Sequence, residues 1–123
     1  MVMTVKINTK DGQIELSDDV IATVVGGATT EIFGVVGMAS RAALKDNVQA
    51  LLRRENYAKG VVVKSIEEGI SVDVYTVLSY GVKISEVAKN IQERVQFALE
   101  NQLGIKVNAV NIYVQNIKVA GDN

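Results

Sequence analysis

The sequence predicts an α+β fold: a small, mostly antiparallel sheet with helices packed on one face, in the order β-α-α-β-β-α-β. Three patterns indicate it. Between Ile70 and Tyr75, the apolar residues Ile70, Val72 and Val74 alternate with Ser71, Asp73 and Tyr75, which is the period of a half-buried strand. From Ile84 onward, apolar residues recur every three or four positions, at Ile84, Val87, Ala88, Ile91, Val95, Ala98 and Leu99. Glu86, Lys89, Asn90, Glu93, Arg94 and Glu100 take the other side, so the helix has one buried stripe and one wet face. Near the C-terminus Val110, Ile112 and Val114 alternate with Asn111, Tyr113 and Gln115. Gly81 stands alone at the joint between the first strand and the long helix, so a helix laid across a sheet follows.

Taken in order, the chain begins with two short extended stretches, 4–8 and 13–16, around Lys10-Asp11-Gly12. Asp-Gly is a strong turn signal, so they read as a small hairpin or a strand entry. Ser17 occupies an N-cap position, and Asp18 and Asp19 fall in the first helical turn, where carboxylates meet free N–H groups and the positive end of the helix dipole. Capping accounts for this pair better than catalysis does. The helix continues through Val20, Ile21, Val24, Val25, Ala28 and Ile32. Gly26 and Gly27 interrupt it at a cost of about 1 kcal/mol each relative to alanine, which predicts that another element approaches the backbone there. Residues 20–39 match a bilayer span in length, but four glycines, three threonines and a central Glu31 favour a buried helix followed by a loop.

Phe33 to Met38 (FGVVGM) reads as an unusually apolar loop between two helices. Helical spacing returns over 41–57 through Leu44, Val48, Leu51 and Leu52, with Arg41, Lys45, Arg53 and Arg54 making it the most basic part of the chain. No aromatic residue is interleaved with these charges for base stacking, so a solvated helix face is the simpler account. Val61 to Ile66 and the strand from Ile70 form a hairpin turning at Glu67-Glu68-Gly69, whose glutamates read as a solvated tip. The long helix ends at Gly104, a C-cap residue, and the final strand should pack its inner face beneath that helix.

At 123 residues without a linker-like stretch, the chain is expected to be one domain, 1–123. Hydrophobic residues at 48% and charged residues at 22% are globular values, which excludes a disordered reading. Cysteine and histidine are both absent, which removes disulfides, thiolate chemistry, the usual metal ligand and the usual general base near neutral pH. Serine and cysteine triads are thereby excluded, and only lysine, tyrosine and carboxylate chemistry stays open. Nothing in the sequence singles out a pocket for it, so no enzyme, cofactor or metal site is expected. A net charge of −1 gives no general attraction to phosphate backbones. No secretory pattern opens the chain, so the expected location is cytoplasmic.

The remaining candidates are contact residues. Phe33, Val35, Val36 and Met38 form an apolar tip that either tucks into the core or meets a partner. Tyr75, Asn111, Tyr113 and Gln115 are placed to line an uncovered sheet face, a platform for another protein chain, with ordinary solvent exposure as the plainer account.

The chain resembles the alkaline shock protein family, the envelope stress response proteins of Gram-positive bacteria. The resemblance rests on GVVGM at 34–38, KGVVVK at 59–64, VDVYTVLSYGVKISEVAKNIQERV at 72–95 and LGIKVNAVNIYVQNI at 103–117. Two positions depart from the family's habit, Ser85 where proline is common and Asn116 where glycine is common, both at element ends. The resemblance implies a non-enzymatic cytoplasmic protein linked to cell-wall stress. It also implies a protein partner at the inner membrane face, or self-association, without direct membrane insertion or a small-molecule substrate. The alternative is a KH-like nucleic-acid module using Gly34-Val35-Val36-Gly37 as its GXXG loop, although two valines stand where such a loop needs a basic residue.

Overall fold

The structure is a computed structural model that describes residues 4–40, 57, 59–66 and 69–119. Its elements are β1 (Thr4–Thr9), β2 (Gly12–Ser17), α1 (Asp18–Thr30), β3 (Val35–Met38), β4 (Val61–Ile66), β5 (Gly69–Ser79), α2 (Ile84–Ala98) and β6 (Val107–Lys118). The fold is α+β, as expected, but the order is β-β-α-β-β-β-α-β. The helix expected over 41–57 and the hairpin tip at Glu67 and Glu68 lie outside the described residues.

β1 and β2 form a separate two-stranded antiparallel hairpin whose register closes at Thr9↔Gly12, around the Lys10-Asp11 turn. Chain direction then passes straight into α1. Ser17 caps it as the sequence predicts, its Oγ accepting the Val20 N–H at 3.3 Å. Ile21, Ala22, Val25, Ala28 and Thr29 form the buried face of α1. Thr29 is a polar residue in that face, and its hydroxyl donates to the Val25 carbonyl at 2.8 Å, so its burial leaves no unmet group.

The main sheet is built around β5. β4 pairs antiparallel with its first half, from Ile66↔Gly69 to Val61↔Val74, and β3 pairs antiparallel with its second half, from Met38↔Thr76 to Val35↔Leu78. β6 runs along the other edge in parallel, from Ile70↔Val107 to Ser79↔Lys118. The sheet is therefore mixed, and the mostly antiparallel expectation is corrected at β6. A parallel neighbour needs a crossover long enough to return the chain to the start of β5, and α2 is that crossover.

The stretch expected to be an apolar loop is strand β3. Val35 and Gly37 pair with Leu78 and Val77, and a bulge at Val36 separates the two pairs. α2 begins at Ile84 and buries Val87, Ile91, Val95 and Ala98. It widens into a π-helical turn, Leu99–Leu103, before Gly104, in the left-handed conformation at φ 69°, releases the chain toward β6. Both helices lie on one side of the sheet: α1 packs on α2, β3 and β4, and α2 packs on β6. Ile21 and Val25, Ile91, Val95 and Leu99, and Ile70, Val72, Val74 and Leu78 close the core between them, all fully buried. Each such side chain contributes on the order of 1.5–3 kcal/mol of transfer free energy.

Candidate interaction surface

The predicted apolar tip is split by the structure. Met38 is 0% exposed, and Val35 packs against the core from a half-buried position. Their burial follows from the strand: Val35 and Met38 face Leu78 and Thr76 across the β3–β5 ladder, with the helices above. Phe33 and Val36 instead point outward, at 90% and 38% exposure. Phe33 sits in the connection before β3, and Val36 is the bulge residue, so neither is drawn inward by the ladder.

Two residues that sequence reasoning did not select join them. Tyr80 is 71% exposed and Ile84 is 45% exposed. The helical stripe predicts burial for Ile84, but the buried line of α2 starts one turn later, at Val87. The segments are stitched together at the end of β5. The Ser79 N–H donates to the Gly34 carbonyl at 2.8 Å, and the Tyr80 N–H donates to the Lys118 carbonyl at 2.9 Å. Gly34 lies so close to α2 that a Cβ there would stand 3.0 Å from a Val87 methyl and 3.2 Å from a Val82 methyl. The result is an end of the molecule carrying the exposed apolar residues Phe33, Val36, Tyr80 and Ile84, with Val119 following β6 and the exposed Lys83–Glu86 ion pair at the same end. Proximity of Gly81 to a strand end was the available signal, since the joint between a strand and a helix is where side chains of both leave the core.

The second predicted group, on the far face of the sheet, is assembled only in part. Tyr75 and Tyr113 are register partners, and their rings stack with centroids 4.9 Å apart and planes 17° from parallel. Asn111 faces Asp73, whose Oδ1 accepts from Asn111 Nδ2 at 2.8 Å while Oδ2 lies 3.4 Å from Lys64 Nζ. Asp73 is only 6% exposed, so this arrangement satisfies a buried carboxylate across three strands. Gln115 falls in the β6 bulge between the Thr76 and Val77 pairings and stands apart from the tyrosine stack's register. Asn111 and Tyr113 are exposed and Tyr75 is half-buried, so this face stays open to solvent while Tyr75 stacks on Tyr113 and Asn111 donates to Asp73.

The Gly34–Gly37 stretch is not a free loop between helices, because Val35 and Gly37 are committed to strand pairing and Gly37 is buried. Among the described residues no three His, Cys, Asp or Glu side chains gather as a metal site, and no helix is long and apolar enough to cross a membrane.

Comparison with known proteins agrees with the sequence motifs. The chain is 79% identical over 121 residues to the uncharacterized protein Spy1614 of Streptococcus pyogenes serotype M6, covering 98% of this chain and all of that one. It is 46% identical over 117 residues to the uncharacterized protein YloU of Bacillus subtilis, covering 95% and 98% of the two chains. A second Bacillus subtilis protein, YqhY, is 33% identical over 111 residues, covering 90% and 81%. Residues 6–119 match the alkaline shock protein 23 family, described as having a cell envelope-related function, and the chain belongs to that family.

Proposed function

We propose that this protein is a non-catalytic interaction module of the cell envelope that docks on a membrane-held protein partner through the end that carries Phe33 and Tyr80. The observation that carries this reading is the 90% exposure of Phe33 and the 71% exposure of Tyr80 on segments joined by the Ser79 N–H to Gly34 carbonyl bond. An isolated exposed apolar side chain needs no explanation, but several large ones on segments tied together at one end of the sheet favour a contact site. Aromatic anchors supply most of the energy at such sites, which suits Phe33 and Tyr80. Family membership supplies the envelope context, and the lack of imidazole and thiol groups supports a binding role.

The test is photo-crosslinking in the native cell from a light-activated phenylalanine analogue at position 33, with one at the exposed Gln13 as control. A defined membrane-held partner captured from position 33, absent from the control and lost with Tyr80→Ser, is the expected result. Capture of a second copy of this chain instead assigns the surface to self-association. No capture from position 33, together with no membrane-fraction association, overturns the reading.

A further inference from the structure

Two adjacent glycines inside α1 have different reasons to be there. At Gly26 a Cβ would stand 2.6 Å from the Tyr57 ring, so packing requires its absence. At Gly27 a Cβ would meet nothing within 4 Å, so packing among the described residues does not explain a residue that weakens the helix. Gly27 instead lines, with the small residues Ala28 and Ala98, a groove of about 320 Å³ between α1 and α2.

Arg94, Glu31, Gln102 and Tyr57 line this groove. The Arg94 Nη2 is 2.8 Å from Glu31 Oε2, so among the described lining residues these two charges offset each other. A bare anion would meet Glu31 and a bare cation would meet Arg94. The pair still leaves capacity: a guanidinium has five N–H donors, a carboxylate has several acceptor lone pairs, and Gln102 and the Tyr57 phenol each both donate and accept. Balanced donors and acceptors of this kind match hydroxyl groups, which are themselves both. The aromatic ring of Tyr57 adds an apolar surface with a polar tip. The volume lies at the lower end of the roughly 300–1,000 Å³ of ligand cavities, the size of a single sugar ring and too small for a nucleotide.

We propose that the groove between α1 and α2 binds a neutral polyhydroxylated ligand, one sugar ring in size, held without turnover. The site is separate from the end that carries Phe33 and Tyr80, and its fate does not depend on the docking reading above.

The test is saturation-transfer NMR and calorimetric titration of the full chain with glucose, N-acetylglucosamine, glucuronic acid and glucosamine, each to about 10 mM, because ligands with so few atoms bind weakly. The neutral sugars should show ring-proton transfer, and the acidic and basic analogues should bind several-fold more weakly. Gly27→Leu, which adds bulk to the groove lining, should abolish binding while circular dichroism stays native. Gln102→Ala, at an exposed position, should weaken it about tenfold, and it decides the matter if Gly27→Leu does not fold. The proposal is overturned by no transfer to either neutral sugar, by a charged analogue that binds more tightly, or by binding that both variants leave unchanged.

Discussion

Tyr57 occupies the space that a side chain at Gly26 would need: a methyl group at position 26 would stand 2.6 Å from Tyr57 Cδ2 and 2.7 Å from Tyr57 Cβ. Carbon atoms do not approach so closely without displacement, so α1 and Tyr57 specify each other. The close approach expected from the glycine pair is present at Gly26 and absent at Gly27.

That asymmetry gives the two glycines substitutions of opposite sign. Gly26→Ala should lower unfolding free energy by about 1–3 kcal/mol through overpacking. Gly27→Ala should leave it unchanged or raise it by up to roughly 1 kcal/mol, the helix propensity gain of alanine. Urea denaturation of both variants checks this, and equal losses would count against the Tyr57 contact.

Phe33 and Met38 lie five residues apart with contrasting burial. Phe33→Ser should change stability by no more than about 0.5 kcal/mol, as surface substitutions do, while removing partner capture. Met38→Ala should cost about 2–5 kcal/mol because it opens a cavity at a fully buried site. Thermal and urea midpoints, read beside crosslinking yield, separate the contact residue from the core residue.

The two partners of Asp73 should also prove unequal. Asn111→Leu removes the 2.8 Å donor to a buried carboxylate and should cost about 1–3 kcal/mol. Lys64→Ala removes a partner 3.4 Å away whose side chain is mostly in solvent, and should cost about 0–1 kcal/mol. The reverse order in denaturation midpoints would show that the ion pair is what matters there.

Ser17 is the one side chain that caps α1 at its start. Ser17→Ala should cost about 1 kcal/mol and Ser17→Gly only a few tenths, since glycine also suits that backbone position. Amide exchange in the first turn of α1 should accelerate in step with the loss of stability.

Much of this fold is legible in residues close together in the chain. The alternation of Ile70, Val72 and Val74 predicts a strand, and those three side chains are buried together. The spacing of Val87, Ile91, Val95 and Ala98 predicts one helical face, and those four are what α2 buries. Ser17 and Gly104 mark a helix start and a helix exit through the geometry of their own backbone and side chain. Such features depend on period and local conformation, so a linear sequence contains them.

Other features are decided by partners far away in the chain. Val35–Met38 has glycines at loop-like positions, and it becomes a strand because Thr76, Val77 and Leu78 present an open ladder edge about forty residues later. Val36 and Ile84 are apolar by type, yet one stands at a bulge and the other a turn ahead of the buried line of α2, and both are exposed. Asp73 reads as an outward polar residue until Lys64 and Asn111 arrive from neighbouring strands to accommodate its burial. Hydrogen-bond ladders and exposure are relations between segments, and only the tertiary arrangement sets them.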